Sequence, residues 1–74
     1  MKGWNLDDIV YLSRKLDLPD AYIMSMFRFL DKLVSGGLVD KTCAVSILCY
    51  QYKINKIKGT QIVKYYFKKS QKIA

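Results

Sequence analysis

The chain has 74 residues, of which 51% are hydrophobic, a length that allows one small domain and an apolar content typical of a folded protein. It contains no histidine and no glutamate, and 13 basic side chains outnumber six acidic ones, for a net charge of +7. This composition disfavours acid–base catalysis and zinc binding, and it predicts a binding protein with no cofactor and no small-molecule substrate.

The basic residues are concentrated in the second half of the chain. Residues 1–40 carry a net charge of −1, whereas residues 41–74 carry +8 and contain no acidic residue. Such asymmetry predicts a polyanionic partner, either nucleic acid or an anionic membrane surface. The alternative is that the lysines only keep a small apolar protein in solution.

Membrane insertion and export are not predicted. The longest uncharged stretch is residues 42–52, far shorter than the roughly 20 residues of a spanning helix. Two acidic residues, Asp7 and Asp8, come before any apolar run of the kind found in signal peptides. We therefore expect a cytoplasmic protein that is not attached to a membrane.

The first predicted helix begins after Asn5 and ends at Asp17. Asn5 is a favourable N-cap, and Asp8 stands where a capping box usually has glutamate or glutamine. The helical period places one apolar face along this segment, and Pro19 prevents the helix from continuing. The face consists of Leu6, Ile9, Val10, Leu12 and Leu16.

The second predicted helix begins at Pro19 or Asp20 and ends at Gly36–Gly37. Proline and aspartate are both favourable in a first helical turn, and glycine accommodates the left-handed conformation that often follows a helix. One side of this helix is apolar over its whole length, which predicts the main element of the core. Its apolar residues are Ile23, Met26, Phe27, Leu30, Leu33 and Val34.

Residues 41–57 fit two structures. As a helix capped by Asp40, the segment has only a narrow polar stripe, which is typical of a central buried helix. As a strand, it alternates well over residues 48–54. We favour the helix because its pattern persists over the longer span. Cys43 and Cys49 are then too far apart for a disulfide and are predicted to be small buried residues.

A basic turn at residues 55–59 is predicted to precede the last helix, which begins at Thr60. One face of this helix is apolar, and the opposite face carries lysines around Tyr65. Lysines on one face predict contacts with phosphates, and the tyrosine ring is suited to stack on a base or sugar. The predicted nucleic-acid-binding residues are Lys53, Lys56, Lys58, Lys64, Tyr65, Lys68, Lys69 and Lys72, assisted by Arg28 and Lys32.

Residues 9–39 resemble the helix-turn-helix core of winged-helix transcription regulators. The resemblance rests on the small residue Ser13, on the turn at residues 17–20 and on the Gly-Leu-Val sequence at residues 37–39. It implies that the second helix recognises DNA. The implied recognition face is Ala21, Tyr22, Ser25, Arg28 and Lys32.

The predicted fold is a compact all-α domain of three or four helices, of helix-turn-helix type, spanning residues 1–74. The resemblance implies an alternative, a winged helix whose C-terminal β-hairpin has strands at residues 48–54 and 61–67. Lys56 and Lys58 would then lie at the tip of the wing.

We predict that the chain is a small DNA-binding protein, and a transcription regulator is the implied role. Its partner would be nucleic acid, with duplex DNA preferred. The alternative is a protein-interaction module, such as an adaptor, an inhibitor or an accessory subunit, because aromatic residues and methionines are abundant for so small a core. Homodimerisation is compatible with either function.

Overall fold

The computed structural model describes residues 4–37 and 40–71, with only the backbone described at residues 70 and 71. These ranges contain four α-helices, α1 (Leu6–Leu16), α2 (Asp20–Ser35), α3 (Lys41–Tyr52) and α4 (Lys56–Gln71). The all-α prediction is confirmed for this part of the chain. The helices surround one hydrophobic cluster, to which all four contribute buried side chains.

The ends of α1 and α2 follow the predicted local signals. The Asp8 N–H donates to Asn5 Oδ1 and the Asn5 N–H donates to Asp8 Oδ2, so the capping box is present. Asp17 ends α1 in a left-handed conformation, and α2 begins after Pro19. At the other end of α2, Gly37 has a φ of 104°, which glycine adopts without strain.

Helix α2 supplies the centre of the core, as predicted. Ile23, Met26, Phe27 and Leu30 are fully buried. The Phe27 ring makes edge-to-face contacts with Trp4 and with Tyr66, at centroid distances of 5.3 and 5.5 Å. Each such contact stabilises the fold by about 0.5–1.5 kcal/mol beyond the contribution from burying the apolar surface of the rings.

The predicted apolar face of α1 is wrong at its first position. Leu6 is 64% exposed, although Ile9, Leu12 and Leu16 are buried. Leu6 is the first residue of α1, and Trp4, two residues before it, is only 8% exposed. The core at this end is therefore filled by the tryptophan ring.

The ambiguous third segment is a helix, which makes the β-wing alternative wrong. Residues 48–52 lie in α3 and residues 61–67 lie in α4, so neither predicted strand exists. The helix is also shorter and less buried than predicted, because it ends at Tyr52 and Lys53 adopts a left-handed conformation. Only Ala44 and Leu48 of α3 are buried.

Helix α4 begins at Lys56, four residues before the predicted start. The Asn55 side chain accepts a hydrogen bond from the Lys58 N–H at 2.8 Å, which caps the helix. The predicted turn at residues 55–59 is therefore wrong, and Gly59 lies inside α4, where it is buried. A Cβ atom at Gly59 would lie 2.4 Å from Cys49 Sγ, so the glycine allows α3 and α4 to approach closely.

The two cysteines are free, as expected from their spacing, but their predicted burial is wrong. Cys43 is exposed and Cys49 is half-buried. Helix α3 packs against the core along one narrow side, that of Ala44 and Leu48. Cys43 lies outside that side, whereas Cys49 lies against Gly59 of α4.

Gly59→Ala is expected to destabilise the protein although alanine favours helices. The new methyl group would overlap Cys49 Sγ, and overpacking of this kind costs about 1–3 kcal/mol in free energy of unfolding. Thermal unfolding followed by circular dichroism measures the effect, with a loss of about 4–8 °C in Tm per kcal/mol.

Two further variants test the cause. Gly36→Ala is the matched control, because a Cβ atom there would meet its nearest atoms at an ordinary 3.5 Å. Adding Cys49→Ala to Gly59→Ala should restore much of the lost Tm. A double variant no more stable than Gly59→Ala alone would contradict the close approach of the two helices.

Candidate nucleic-acid interface

A groove of about 650 Å³ lies between α1, the first residue of α3 and the middle of α4. A second depression of about 330 Å³ runs between α3 and the first half of α4. The two share Lys41 and Lys64 in their walls, so they form one continuous surface. We call this surface the basic groove, after its five lysines, Lys15, Lys41, Lys56, Lys64 and Lys68.

Helix geometry places the three groove lysines of α4 in one row. Lys56, Thr60, Lys64 and Lys68 follow one another at four-residue intervals and therefore form one row on α4. At a rise of 1.5 Å per residue, the row extends over about 18 Å. Lys41, the first residue of α3, and Lys15, near the end of α1, add two further positive charges beside this row.

The charges of the basic groove are not neutralised by acidic neighbours. No aspartate is among the described residues that line it, and all five lysines are exposed. Lys15 and Lys41 lie 5.6 and 6.0 Å from the ring centroids of Tyr11 and Phe67, which leaves their charges in place. The groove is therefore a surface of positive potential open to an anionic ligand.

The structure brings together some of the predicted binding residues and separates others. Lys56, Lys64, Tyr65 and Lys68 line the basic groove. The predicted residues outside it are Lys53 in the turn after α3, Lys58 and Lys69 on another side of α4, and Arg28 and Lys32 on α2. Lys72 lies outside the described residues.

The sequence does not predict that Lys15 and Lys41 belong to the groove. Lys15 belongs to the half of the chain with net charge −1, and Lys41 stands alone at the start of α3. Nothing in the local sequence connects either lysine with α4, since packing of the helices brings them together.

One side of the groove is held by a buried carboxylate. Asp8 is 6% exposed, and its Oδ1 accepts a hydrogen bond from the Tyr65 hydroxyl at 2.8 Å. The same oxygen lies 3.3 Å from Lys69 Nζ, an ion pair that engages Lys69 within the protein. Asp8 therefore joins α1 to α4, and Lys69 is less available to a ligand than the lysines of the groove.

The hydrogen bonds of this cluster shift the ionisation of both partners. Burial by itself raises the pKa of the Asp8 carboxyl. Hydrogen bonds from the Asn5 backbone, Tyr65 and Lys69 outweigh burial and lower that pKa below its usual value of 3.8. Burial and the bond to Asp8 raise the pKa of Tyr65 to about 12, so its hydroxyl stays protonated.

The Tyr65 ring already has partners within the protein. It stacks on the Tyr11 ring at a centroid distance of 5.4 Å, and the Lys69 ammonium group lies 5.5 Å from its centroid. With its hydroxyl bound to Asp8, the ring is fixed as part of the groove wall. Stacking of Tyr65 on a base stays a prediction, and it would compete with these contacts.

Arg28 and Lys32 line a different groove, between α2 and the end of α3, which we call the α2 groove. In the part of the chain that the structure describes, no residue lines both this groove and the basic groove. The Tyr22 hydroxyl donates to the Tyr52 carbonyl, and the Ser25 and Tyr52 hydroxyls lie 2.9 Å apart. Part of the recognition face implied by the helix-turn-helix resemblance is thus in contact with α3.

Asp8→Asn is expected to lower the free energy of unfolding by about 1–3 kcal/mol at neutral pH, because a buried hydrogen-bonded charge is lost. Because the pKa of Asp8 is lowered in the folded protein, the carboxylate stabilises the fold above pH 3.8. This stabilisation is lost as the pH falls through the lower pKa that Asp8 has in the folded protein. The difference in free energy of unfolding between wild type and Asp8→Asn, measured by urea unfolding, should therefore become smaller below about pH 4.

Asp7→Asn is the matched control for this measurement. Asp7 is the exposed neighbour of Asp8 in the same helical turn. Its substitution should change stability by no more than about 0.5 kcal/mol. Equal effects of the two substitutions would contradict the structural role of Asp8.

Comparison of the chain with protein-family models, with curated proteins and with solved structures finds no match. Among the described residues, no cluster of side chains suited to a metal ion is found, and no helix is long and apolar enough to cross a membrane. The functional assignment therefore rests on the basic groove itself.

Proposed function

We propose that this protein binds nucleic acid and that the basic groove contacts the phosphate backbone. The observation that carries the proposal is the convergence of five exposed lysines from three helices on one continuous surface, whose described lining residues include no acidic side chain. Lysine ammonium groups neutralise phosphates and release their counterions, which supplies most of the affinity of such interfaces.

The residue types favour contacts with phosphates over contacts with base edges. Guanine is most often read by the two donors of an arginine, whereas lysine acts as a compact point charge. The chain has 11 lysines and two arginines, and Arg14 and Arg28 do not line the basic groove. Binding through this groove is expected to depend strongly on salt and weakly on sequence.

The helix-turn-helix type and the role of transcription regulator belong to this proposal as its finer form. Helices α1 and α2 are joined by residues 17–19, a connection short enough for that motif. Arg28 and Lys32 on α2 would then contact duplex DNA as an accessory site. A duplex partner and a cytoplasmic location stay predictions from the sequence.

A protein-interaction module is the second candidate function. Its support is a set of large apolar side chains that the fold leaves exposed, and a second copy of the chain is one partner that they could bind. These side chains are Leu6, Tyr11, Tyr50 and Ile57, at 64, 49, 85 and 72% exposure. Affinity for oligonucleotides that is absent even at low salt would favour this candidate.

Binding of oligonucleotides should weaken steeply with salt. Five phosphate contacts predict a slope of log K against log salt of about −3.5 for a single strand and about −4.5 for a duplex. Affinity should then fall about 100- to 500-fold between about 50 and 200 mM salt. Fluorescence anisotropy with labelled single-stranded and duplex DNA measures both slopes. A flat profile would contradict the proposal.

Reversing two charges of the groove should locate the site. Lys64→Glu/Lys68→Glu is expected to lower the magnitude of the salt slope by about two, one for each phosphate contact removed. Arg28→Glu/Lys32→Glu changes the net charge equally on exposed residues of the α2 groove. If Arg28→Glu/Lys32→Glu lost more affinity than Lys64→Glu/Lys68→Glu, the binding site would lie outside the basic groove. Circular dichroism checks that both variants fold.

A further inference from the structure

Tyr50 differs from the other tyrosines of the chain. The rings of Tyr11, Tyr22, Tyr52, Tyr65 and Tyr66 each contact another aromatic ring. Within the described residues, Tyr50 makes no aromatic contact and no hydrogen bond, and it is 85% exposed. The fold therefore makes no use of this ring, which stands free in solvent.

Tyr50 does not line the basic groove, but it lies one position beyond the groove residues in a row along α3. Thr42 and Ser46 line the groove from α3, and Tyr50 follows them at the same four-residue interval. The three side chains therefore lie in one row along α3, with Tyr50 nearest the turn between α3 and α4. On the other helix, the lysine row of α4 begins at Lys56, immediately after this turn.

The surroundings of Tyr50 are basic and partly apolar. Lys53, three residues after Tyr50 in the chain, is the left-handed residue that ends α3. Ile57 is 72% exposed and lies in the first turn of α4, at the same end of the helical hairpin. An exposed ring at the same end of the α3–α4 hairpin as Lys53, Lys56 and Ile57 suits a nucleotide, which combines a flat base with a phosphate.

We propose that Tyr50 is a stacking platform at the turn end of the basic groove and that the ligand of this groove is single-stranded nucleic acid. The inference rests on the proposed function and specifies its substrate class. Phosphates would follow the lysine row of α4, and one unpaired base would lie on the Tyr50 ring. Base–aromatic stacking of this kind is tolerant of sequence, because every base has a π-face.

Charge and geometry favour a single strand over other occupants. In a duplex the base faces are stacked on each other, so an exposed tyrosine gains little from them. A second copy of this chain would bring two surfaces of the same positive charge together. An anionic membrane is also compatible with the positive charge, but among the described residues only Tyr50 and Ile57 are exposed large apolar residues at this end. An interfacial helix presents more.

The test compares wild type, Tyr50→Ala and Tyr50→Phe. Tyr50 is 85% exposed and makes no ring contact or hydrogen bond within the described residues, so both variants should unfold near the wild-type temperature. Tyr50→Ala is expected to weaken binding of a single-stranded oligonucleotide of about 12 nucleotides by about 5- to 150-fold, the range for loss of one stacked base. Tyr50→Phe keeps the ring and should bind like wild type.

The salt slope separates stacking from phosphate contacts. Tyr50→Ala should lower affinity without changing the slope, because no charge is removed. Binding of a duplex of about 20 base pairs should be the same for all three proteins. Leu6→Ala is the matched control, since Leu6 is an exposed apolar residue outside the groove, and it should leave single-strand affinity unchanged.

Each outcome has one interpretation. Salt-dependent binding that Tyr50→Ala leaves unchanged on the single strand would overturn the inference and leave the proposed function standing. If Tyr50→Ala lowered the affinity for single-stranded and duplex DNA by the same factor, the inference would also be overturned. Absence of binding to any oligonucleotide would refute both proposals. The last outcome is that wild type sediments with phosphatidylserine vesicles while Tyr50→Ala does not. If Tyr50→Ala also leaves oligonucleotide binding unchanged, the ring binds a lipid surface and the inference is overturned.

Discussion

The fold depends on two aspartates that hold the most basic helix in place. Helix α4 has no acidic residue, so it cannot balance its own lysines. Its adjacent residues Tyr65 and Tyr66 donate hydrogen bonds to Asp8 of α1 and to Asp31 of α2, and Asp31 also accepts a bond from the Trp4 ring nitrogen. These bonds fix the rotation of α4 about its axis. The lysine row, on another side of the helix, is then left at the surface.

In this arrangement, acidic residues of the first half of the chain stabilise the fold and stay out of the basic groove. Asp8 and Asp31 are directed at α4, and Asp40 caps α3. None of these three carboxylates lines the basic groove, so the positive potential there is not cancelled. Because a groove with low-dielectric walls concentrates the field of its charges, five lysines on one surface attract an anion more strongly than the same lysines spread over the molecule.

The two halves of the molecule differ in how well their sequence predicts their structure. In α1 and α2 the caps, the apolar period and the residues that end the helices all favour the same boundaries, and these boundaries are confirmed. In α3 and α4 the local signals conflict, because the apolar pattern of residues 48–54 also fits a strand and Gly59 is typical of a turn. The conflict is resolved by packing: Asn55 caps α4, and Gly59 is needed where α3 and α4 approach closely.

The sequence by itself favoured an all-α chain with a basic second half, placed α2 at the centre of the core, and put Lys64 and Lys68 on one helix. These properties follow from local periodicity and composition, which a single segment carries. Only the tertiary structure decided that Lys15 and Lys41 join that row, that Lys69 is paired with Asp8, and that Tyr65 is engaged while Tyr50 is free. Those facts depend on which helix faces meet, and the packing of residues distant in the chain sets them.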